Sequence, residues 1–164
     1  MGKLKRLDEL MKIVEGQKRE DKRIVFTNGC FDILHLGHIR YLREAKKLGD
    51  ILIIGLNSDR SIRSLKGKNR PLVKEEDRAE ILSALEMVDY IVIFSELTPK
   101  DLIDRILPDV LVKGGDWRKE EVVGRDTVEA QGGEVVIIPE VRSYSTSTLI
   151  KKIQNSKCKN QNDM

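Results

Sequence analysis

His35 and His38 are the only histidines in this 164-residue chain, and they bracket Gly37. They close the stretch Thr27-Asn-Gly-Cys-Phe-Asp-Ile-Leu-His-Leu-Gly-His38, where an apolar run gives way to a turn and then to a helical pattern. A helix start exposes unpaired N–H groups and the positive end of the helix dipole, which suits a phosphate. A glycine there lets backbone and phosphate approach closely. Two imidazoles add side-chain hydrogen bonds to phosphate oxygens. The competing interpretation, two incidental polar residues on a helix, accounts poorly for their pairing about a glycine just after a strand and a turn. A zinc site is disfavoured, because no cysteine or third histidine lies at ligand spacing.

Other chemistry-bearing residues also follow apolar runs. Asn28-Gly29, Asn57, Lys113-Gly114-Gly115-Asp116 and the hydroxyl cluster Ser145-Thr146-Ser147 all stand at such positions. Lys66, Lys68 and Arg70 surround Gly67 ahead of Pro71. A cationic loop of this kind can close over a polyphosphate, neutralise its charge and exclude water; its bland alternative is a solvated face. Lys66 and Arg70 are the stronger candidates of the three. Asp59 can equally cap a helix, and Asp32 can equally be a turn carboxylate. The hydroxyls of Ser145, Thr146 and Ser147 can cap the last helix and meet a phosphate at once. Cys30 is taken as a small loop or core residue, and Trp117 as structural packing.

The elements that must position these residues follow from periodicity. Leu4, Leu7, Leu10, Met11 and Val14 predict an amphipathic helix over 3–19. Strands are expected at 23–27, 51–56, 88–94, 110–112 and 134–138. Ile51–Leu56 is nearly all apolar, as in a strand buried on both faces of a parallel sheet. Helices are expected at 37–48, from Asp59 into a mobile loop, and at 75–85, 99–106, 126–131 and 145–153. Pro99 is expected as the first helical residue of its helix. Strand and helix alternate five times. That pattern predicts a doubly wound α/β domain: a five-stranded parallel sheet with helices on both faces, Rossmann-like, binding its ligand at the carboxyl ends of the strands. The expected organisation is an N-terminal helix over 1–20 packed on a main domain over 21–155, with a polar tail over 156–164.

Composition narrows the class. Hydrophobic residues make up 40% and charged residues 35%, an ordinary globular mixture, while aromatics at 4% leave the core to Ile, Leu and Val. The balance of 30 basic and 27 acidic residues, net +3, is too mild to argue for nucleic acid, and no aromatic stacking platform is evident. Two cysteines, Cys30 and Cys158, make neither a disulfide framework nor a metal motif, so a reduced, cytoplasmic setting is expected. No apolar run approaches the roughly 20 residues of a membrane span, and the N-terminus lacks a secretory pattern.

The stretch TNGCFDILHLGH resembles the signature of the HxGH nucleotidyltransferase superfamily, and the resemblance extends over residues 23–153. Within it, TNGCFD, LNSDRSIRSLKGKNRP, VKGGDW and YSTSTLIKKI are most similar to the heptose 1-phosphate adenylyltransferase branch. The resemblance implies that the main domain transfers AMP from ATP, with Mg²⁺ accompanying it, to D-glycero-β-D-manno-heptose 1-phosphate. ADP-heptose and pyrophosphate would result, and the family's product feeds lipopolysaccharide core synthesis. His35, His38 and Lys66 would act at the reacting phosphates. Thr27, Asn28, Gly29, Phe31 and Gly37 would surround the nucleotide, joined by Arg70, Lys113, Gly114 and Gly115 and by the hydroxyls of Ser145, Thr146 and Ser147. Asp32, Asn57, Asp59 and Asp116 would lie toward the sugar phosphate. No resident metal site is implied.

A homodimer is a common state among such relatives, and neither nucleic acid nor membrane is expected as a partner. With no kinase-like segment in the chain, the preceding phosphorylation is expected from another protein. Alternatives are a cytidylyltransferase acting on glycerol 3-phosphate or ethanolamine phosphate, an FMN adenylyltransferase, or a non-catalytic nucleotide-sensing module. Related cytidylyltransferases carry Arg-Thr-Glu-Gly-Ile-Ser-Thr; here Arg142 stands three residues before Ser145 and the Glu-Gly pair is absent, which argues against their acceptors. A sensing module would be marked by a damaged HxGH or a lost basic loop, and neither is seen.

Overall fold

A computed structural model describes residues 2–115 and 117–139, together with Thr148, Ile150, Lys151, Ile153 and Asn155. The N-terminal periodicity produces helix α1 (Leu7–Arg19), with Asp8 and Glu9 in its first turn and Lys18 and Arg19 in its last, each sign matched to the helix dipole. Strand β1 (Ile24–Gly29) leads to α2 (Leu36–Lys46), and β2 (Ile51–Asn57) to α3 (Asp59–Lys66) and α4 (Glu75–Ser83). Then follow β3 (Tyr90–Phe94), α5 (Lys100–Ile106), β4 (Val110–Gly114), a 3₁₀ turn (Lys119–Glu121), α6 (Arg125–Ala130) and β5 (Glu134–Ile138).

All strand pairs are parallel and the order is β3-β2-β1-β4-β5. This is the expected doubly wound sheet. Alternation sends the side chains of adjacent residues to opposite faces. On one face Ile24, Phe26, Ile53 and Leu111 pack under Leu10 and Val14 of α1, Leu102, Ile103 and Ile106 of α5, and Val128 of α6. On the other, Val25, Leu52, Ile54 and Val112 pack under Leu42 and Ala45 of α2 and Ala79 and Leu82 of α4. Each such buried aliphatic side chain contributes about 1.5–3 kcal/mol.

Aspartates set the strands' lower ends. Asp109, just before β4, accepts the Ile24 N–H of β1 at 2.7 Å. Asp89, just before β3, accepts the Leu52 N–H of β2 at 2.7 Å, and Asp50 accepts the Arg23 N–H at 2.8 Å. These N–H groups would otherwise lack partners at the sheet's rim. Gly55 has a packing reason: a Cβ there would come within 2.8 Å of the Phe26 ring.

Several expected boundaries move, for physical reasons. The first helix starts at Leu7 rather than at residue 3. Residues 3–5 instead run beside β3, whose outer edge offers unpaired groups: the Lys5 N–H donates to the Ile91 carbonyl and the Ile91 N–H to the Lys3 carbonyl, both at 2.9 Å. Asn28 and Gly29, expected as a turn, belong to β1 and pair with Gly55 and Leu56. Strand β4 runs on through Lys113 and Gly114, because β5 continues beside it to Ile138. Pro99 is the N-cap of α5, not its first residue. The five described residues between 148 and 155 are helical, within and just beyond the helix expected over 145–153.

The first helix is part of the core rather than an appendage. Leu10 is fully buried, and the Lys18 ammonium donates to the carbonyls of Ile106 and Leu107 at the end of α5. Leu10→Ala is therefore expected to lower unfolding free energy by about 2–5 kcal/mol. Leu97→Ala, at a residue 61% exposed, should stay within about 0.5 kcal/mol. Urea denaturation of both variants measures the contrast.

Candidate active site

Strand β1 has β2 on one side and β4 on the other. The loops that leave β1 and β4 therefore part in opposite directions and open a crevice at their carboxyl ends. Lys113 on β4 donates to the side-chain oxygen of Asn28 on β1 at 3.3 Å, across the mouth of this crevice. Burial pushes the Lys113 ammonium below its usual value, partly offset by the nearby Cys30 sulfur. Its Nζ also lies 5.4 Å from the centre of the half-exposed Trp117 ring. Gly115 holds φ at +99°, where L side chains are disfavoured, and its N–H is bonded to the Ile138 carbonyl at 3.0 Å.

The two histidines meet at the start of α2. His35 is the N-cap, with extended φ and ψ of −142° and 171°, and its carbonyl accepts the His38 N–H at 2.9 Å. Its ring makes no cap bond. It stacks on His38 instead, at 3.8 Å between centroids and 27° between planes. Phe31 approaches the His38 ring at 5.2 Å. Among the described residues, His38 Nδ1 is buried without a hydrogen-bond partner. Burial first, then the charges of His35 and Lys66, push His38 down to about 4. The imidazole is thus neutral at neutral pH. Lys66, at the end of α3, is thus within electrostatic reach of His38.

The segment after Lys66 is anchored, where a mobile loop was expected. Asp32, almost fully buried, accepts Arg70 Nε at 2.6 Å and the backbone N–H groups of Leu72 and Val73 at 2.8 and 2.9 Å. A buried carboxylate requires such compensation. Three donors occupy both of its oxygens, so it organises the basic loop. Lys68 remains exposed.

Other expected site residues are placed in different surroundings. Thr27 is fully buried, and its hydroxyl shares a 2.6 Å hydrogen bond with Tyr41, whose own hydroxyl donates to the Val112 carbonyl. Burial pushes Tyr41 up to about 12. Asn57 donates from its side chain to the Ser61 hydroxyl at 3.2 Å. Asp59 accepts Arg78 Nη2 at 2.8 Å. Gly29 and Gly114 leave room for rings: a Cβ would stand 3.0 Å from Phe31 and 3.1 Å from Tyr41. Gly37 is buried in the first turn of α2. Asp116, Ser145, Thr146 and Ser147 lie outside the described residues.

Arg78 and Tyr41 escaped the sequence reading. Tyr41 stands three residues after His38, one helical turn along the same helix, and Arg78 shares a helical face with Leu82. A charged residue on an otherwise apolar face was the available signal.

The His38 environment makes stability depend on pH. The unfolded chain protonates this imidazole below about 6.5 and the folded chain only below about 4. Between those values the unfolded state holds more protons, so stability rises with pH and falls on acidification. Unfolding free energy is expected to drop by on the order of 2–3 kcal/mol at this site between pH 7 and pH 4. Chemical denaturation across that range should show a shallower slope for His38→Asn.

Three kinds of likeness bear on this geometry. The bifunctional protein HldE of Geobacter metallireducens is 55% identical over 152 residues, 93% of this chain. The HldE protein of Wolinella succinogenes is 55% identical over 149 residues, 91% of this chain. The chain spans 31% of the length of each of these relatives. Among solved structures, the lipopolysaccharide core biosynthesis protein of Thermoplasma volcanium GSS1 is 33% identical, with a TM-score of 0.60 over 76% of this chain and 99% of that one. Pantoate-β-alanine ligase from Francisella tularensis has a TM-score of 0.61 over 87% of this chain and 69% of its own, and at 16% identity it supports the fold alone. The profile of the cytidylyltransferase-like family matches residues 26–153, and with that match the chain belongs to this family.

Proposed function

We propose that the chain is an adenylyltransferase that moves AMP from ATP to a sugar 1-phosphate, D-glycero-β-D-manno-heptose 1-phosphate, releasing pyrophosphate. The observation that carries this reading is the stacked His35–His38 pair at the start of α2, beside Lys66, in the crevice at the end of β1. Its likeness to the HldE proteins and to the Thermoplasma lipopolysaccharide core biosynthesis protein supports the heptose as acceptor. The same reading places the reaction in the cytoplasm. It also carries the homodimer that the family resemblance implies, which light scattering of the purified chain would check.

The nucleotide lies across the ends of β1 and β4, its phosphates at the first turn of α2. An oxygen of the sugar phosphate attacks the α-phosphorus in line. The bond from that phosphorus to the bridging oxygen breaks, and its electron pair leaves with pyrophosphate. Transfer of this kind needs mainly positioning and charge stabilisation, so no covalent enzyme intermediate is required. A neutral His38 with Nδ1 turned inward keeps Nε2 for the phosphates as a donor that carries no charge into a buried site. Lys66 supplies positive charge from the end of α3. Lys113 with Asn28, Phe31, Gly37 and Gly115, together with Gly29 and Gly114, shape the nucleotide side. Thr27 supports it from beneath through Tyr41. Arg70 stands beside the phosphates in its bond to Asp32, and Asn57 and Asp59 border the acceptor side. Asp116, Ser145, Thr146 and Ser147 keep the binding roles assigned from the family pattern.

The described residues do not form a cage for Mg²⁺. Among the described residues no three His, Cys, Asp or Glu side chains gather at a metal-binding distance, and the oxygens of Asp32 are already occupied. Magnesium that accompanies ATP is typically held by phosphate oxygens and water. Among the described residues no helix is long and apolar enough to cross a membrane.

A pyrophosphate-release assay with ATP or CTP against heptose 1-phosphate, glycerol 3-phosphate, ethanolamine phosphate and FMN tests the proposal. ATP with heptose 1-phosphate is expected to give the highest kcat/KM. A faster reaction with CTP or another acceptor would replace this reading, and ATP binding without release from any pair would favour a sensing module. His38→Ala should reduce kcat roughly 10²–10³-fold, as loss of one charge-stabilising donor does. Its melting temperature should stay close to that of the parent.

A further inference from the structure

Arg78 heads the fully buried side chains by volume, at 1% exposure, and no phosphate role falls to it. Its guanidinium makes four hydrogen bonds to three stretches of the chain, at residues 30, 57–59 and 73. Nε donates to the Val73 carbonyl at 2.9 Å. Nη1 donates to the Cys30 carbonyl at 2.5 Å and to the Asn57 carbonyl at 2.9 Å. Nη2 donates to Asp59 at 2.8 Å. A planar fork with donors in fixed directions can hold four such acceptors at once, and a lysine ammonium cannot.

Two of these bonds close a circuit. Cys30 is followed by Phe31, whose φ of 45° is a strained value for a ring-bearing residue, and then by Asp32. The Asp32 carboxylate accepts the Val73 N–H at 2.9 Å, and the Val73 carbonyl accepts Arg78. The strained residue is thus clamped on both sides, and its ring approaches His38 at 5.2 Å. The other two bonds tie the same guanidinium to the end of β2 and to the first residue of α3, the helix that ends in Lys66.

Stability alone is a poor reason to bury a cation here. Replacing a buried ion pair with apolar residues is often neutral or stabilising. Every acceptor of Arg78 outside its own approach loop belongs to a segment bordering the crevice.

We propose that Arg78 is a positioning residue, which clamps the Cys30–Asp32 turn to the end of β2, the start of α3 and the 70–73 loop and so sets the histidine pair and the basic loop in one geometry. The division of the crevice into nucleotide and acceptor halves rests on the function proposed above. The clamping of His38 does not.

The test reads His38 directly. The chain has two histidines, so proton NMR of the imidazole C–H signals can follow both through a pH titration of the whole protein. The groups facing His38 are His35, Phe31 and Lys66, and none is altered by Arg78→Lys. This variant keeps the charge and loses the fork. Its His38 midpoint is expected to rise from about 4 toward 6.5 by about one pH unit or more, as the turn loosens and water reaches the ring. Pyrophosphate release should fall roughly a hundredfold, the scale of an ångström of misplacement.

Ile103→Val, in the core on the opposite face of the sheet, serves as control: it should lower the melting temperature and leave the titration where it was. If Arg78→Lys does not fold, Asp59→Asn, which loosens the same fork, should move His38 in the same direction. An unmoved His38 titration in the folded variant overturns the proposal, as does an equal shift in Ile103→Val. A parent protein that releases no pyrophosphate from ATP and a sugar 1-phosphate would sink the proposed function and leave the titration result standing.

Discussion

Strand β1 is hydrogen-bonded along both edges, and this double pairing governs the rest of the molecule. Everything up to β3 is built outward from one of its edges, and everything from β4 onward from the other. The crossovers then place α2 and α4 on one face and α5 and α6 on the other, where α1 also packs. Only at the carboxyl end of β1 do the two halves diverge. The only two imidazoles of the chain stand just beyond that point.

Charge and polarity in this crevice are arranged before any ligand arrives. The His38 ring is neutral because burial and two neighbouring bases disfavour its cation. The Lys113 ammonium is pressed toward neutrality by the same burial. Asp32 and Arg70 neutralise each other at 2.6 Å, one of them nearly inaccessible. Such preorganised dipoles and pairs are worth more in a water-poor site than in solution, and they need no rearrangement as charge develops on a phosphate. Buried polar groups are also costly if one partner is lost, so these contacts constrain each other.

Much of this was legible in the residues. Near-continuous apolar runs such as Ile51–Leu56 announced a parallel sheet, and the polar residues after each run marked the carboxyl ends of its strands. His35-Leu-Gly-His38 marked a helix start carrying both imidazoles, and the structure brings the two rings together there. Misplaced boundaries share one cause. Whether Asn28-Gly29 and Lys113-Gly114 extend their strands depends on neighbours that continue beside them, and local propensity carries no trace of a neighbour. Residues 3–5 leave the helical pattern for the same reason: the free edge of β3 offers them hydrogen bonds.

By itself, the sequence determined the class of fold, the face each helix buries and where a histidine pair meets a helix start, because periodicity and helix-start chemistry are local. Tertiary structure decided which of the polar residues serve the scaffold. Thr27 looks inward to Tyr41, Asp59 answers Arg78, and Asp32 holds a loop some 40 residues further along the chain. These assignments depend on which segments the sheet order brings side by side, and a hydrogen bond between distant residues leaves no spacing to read.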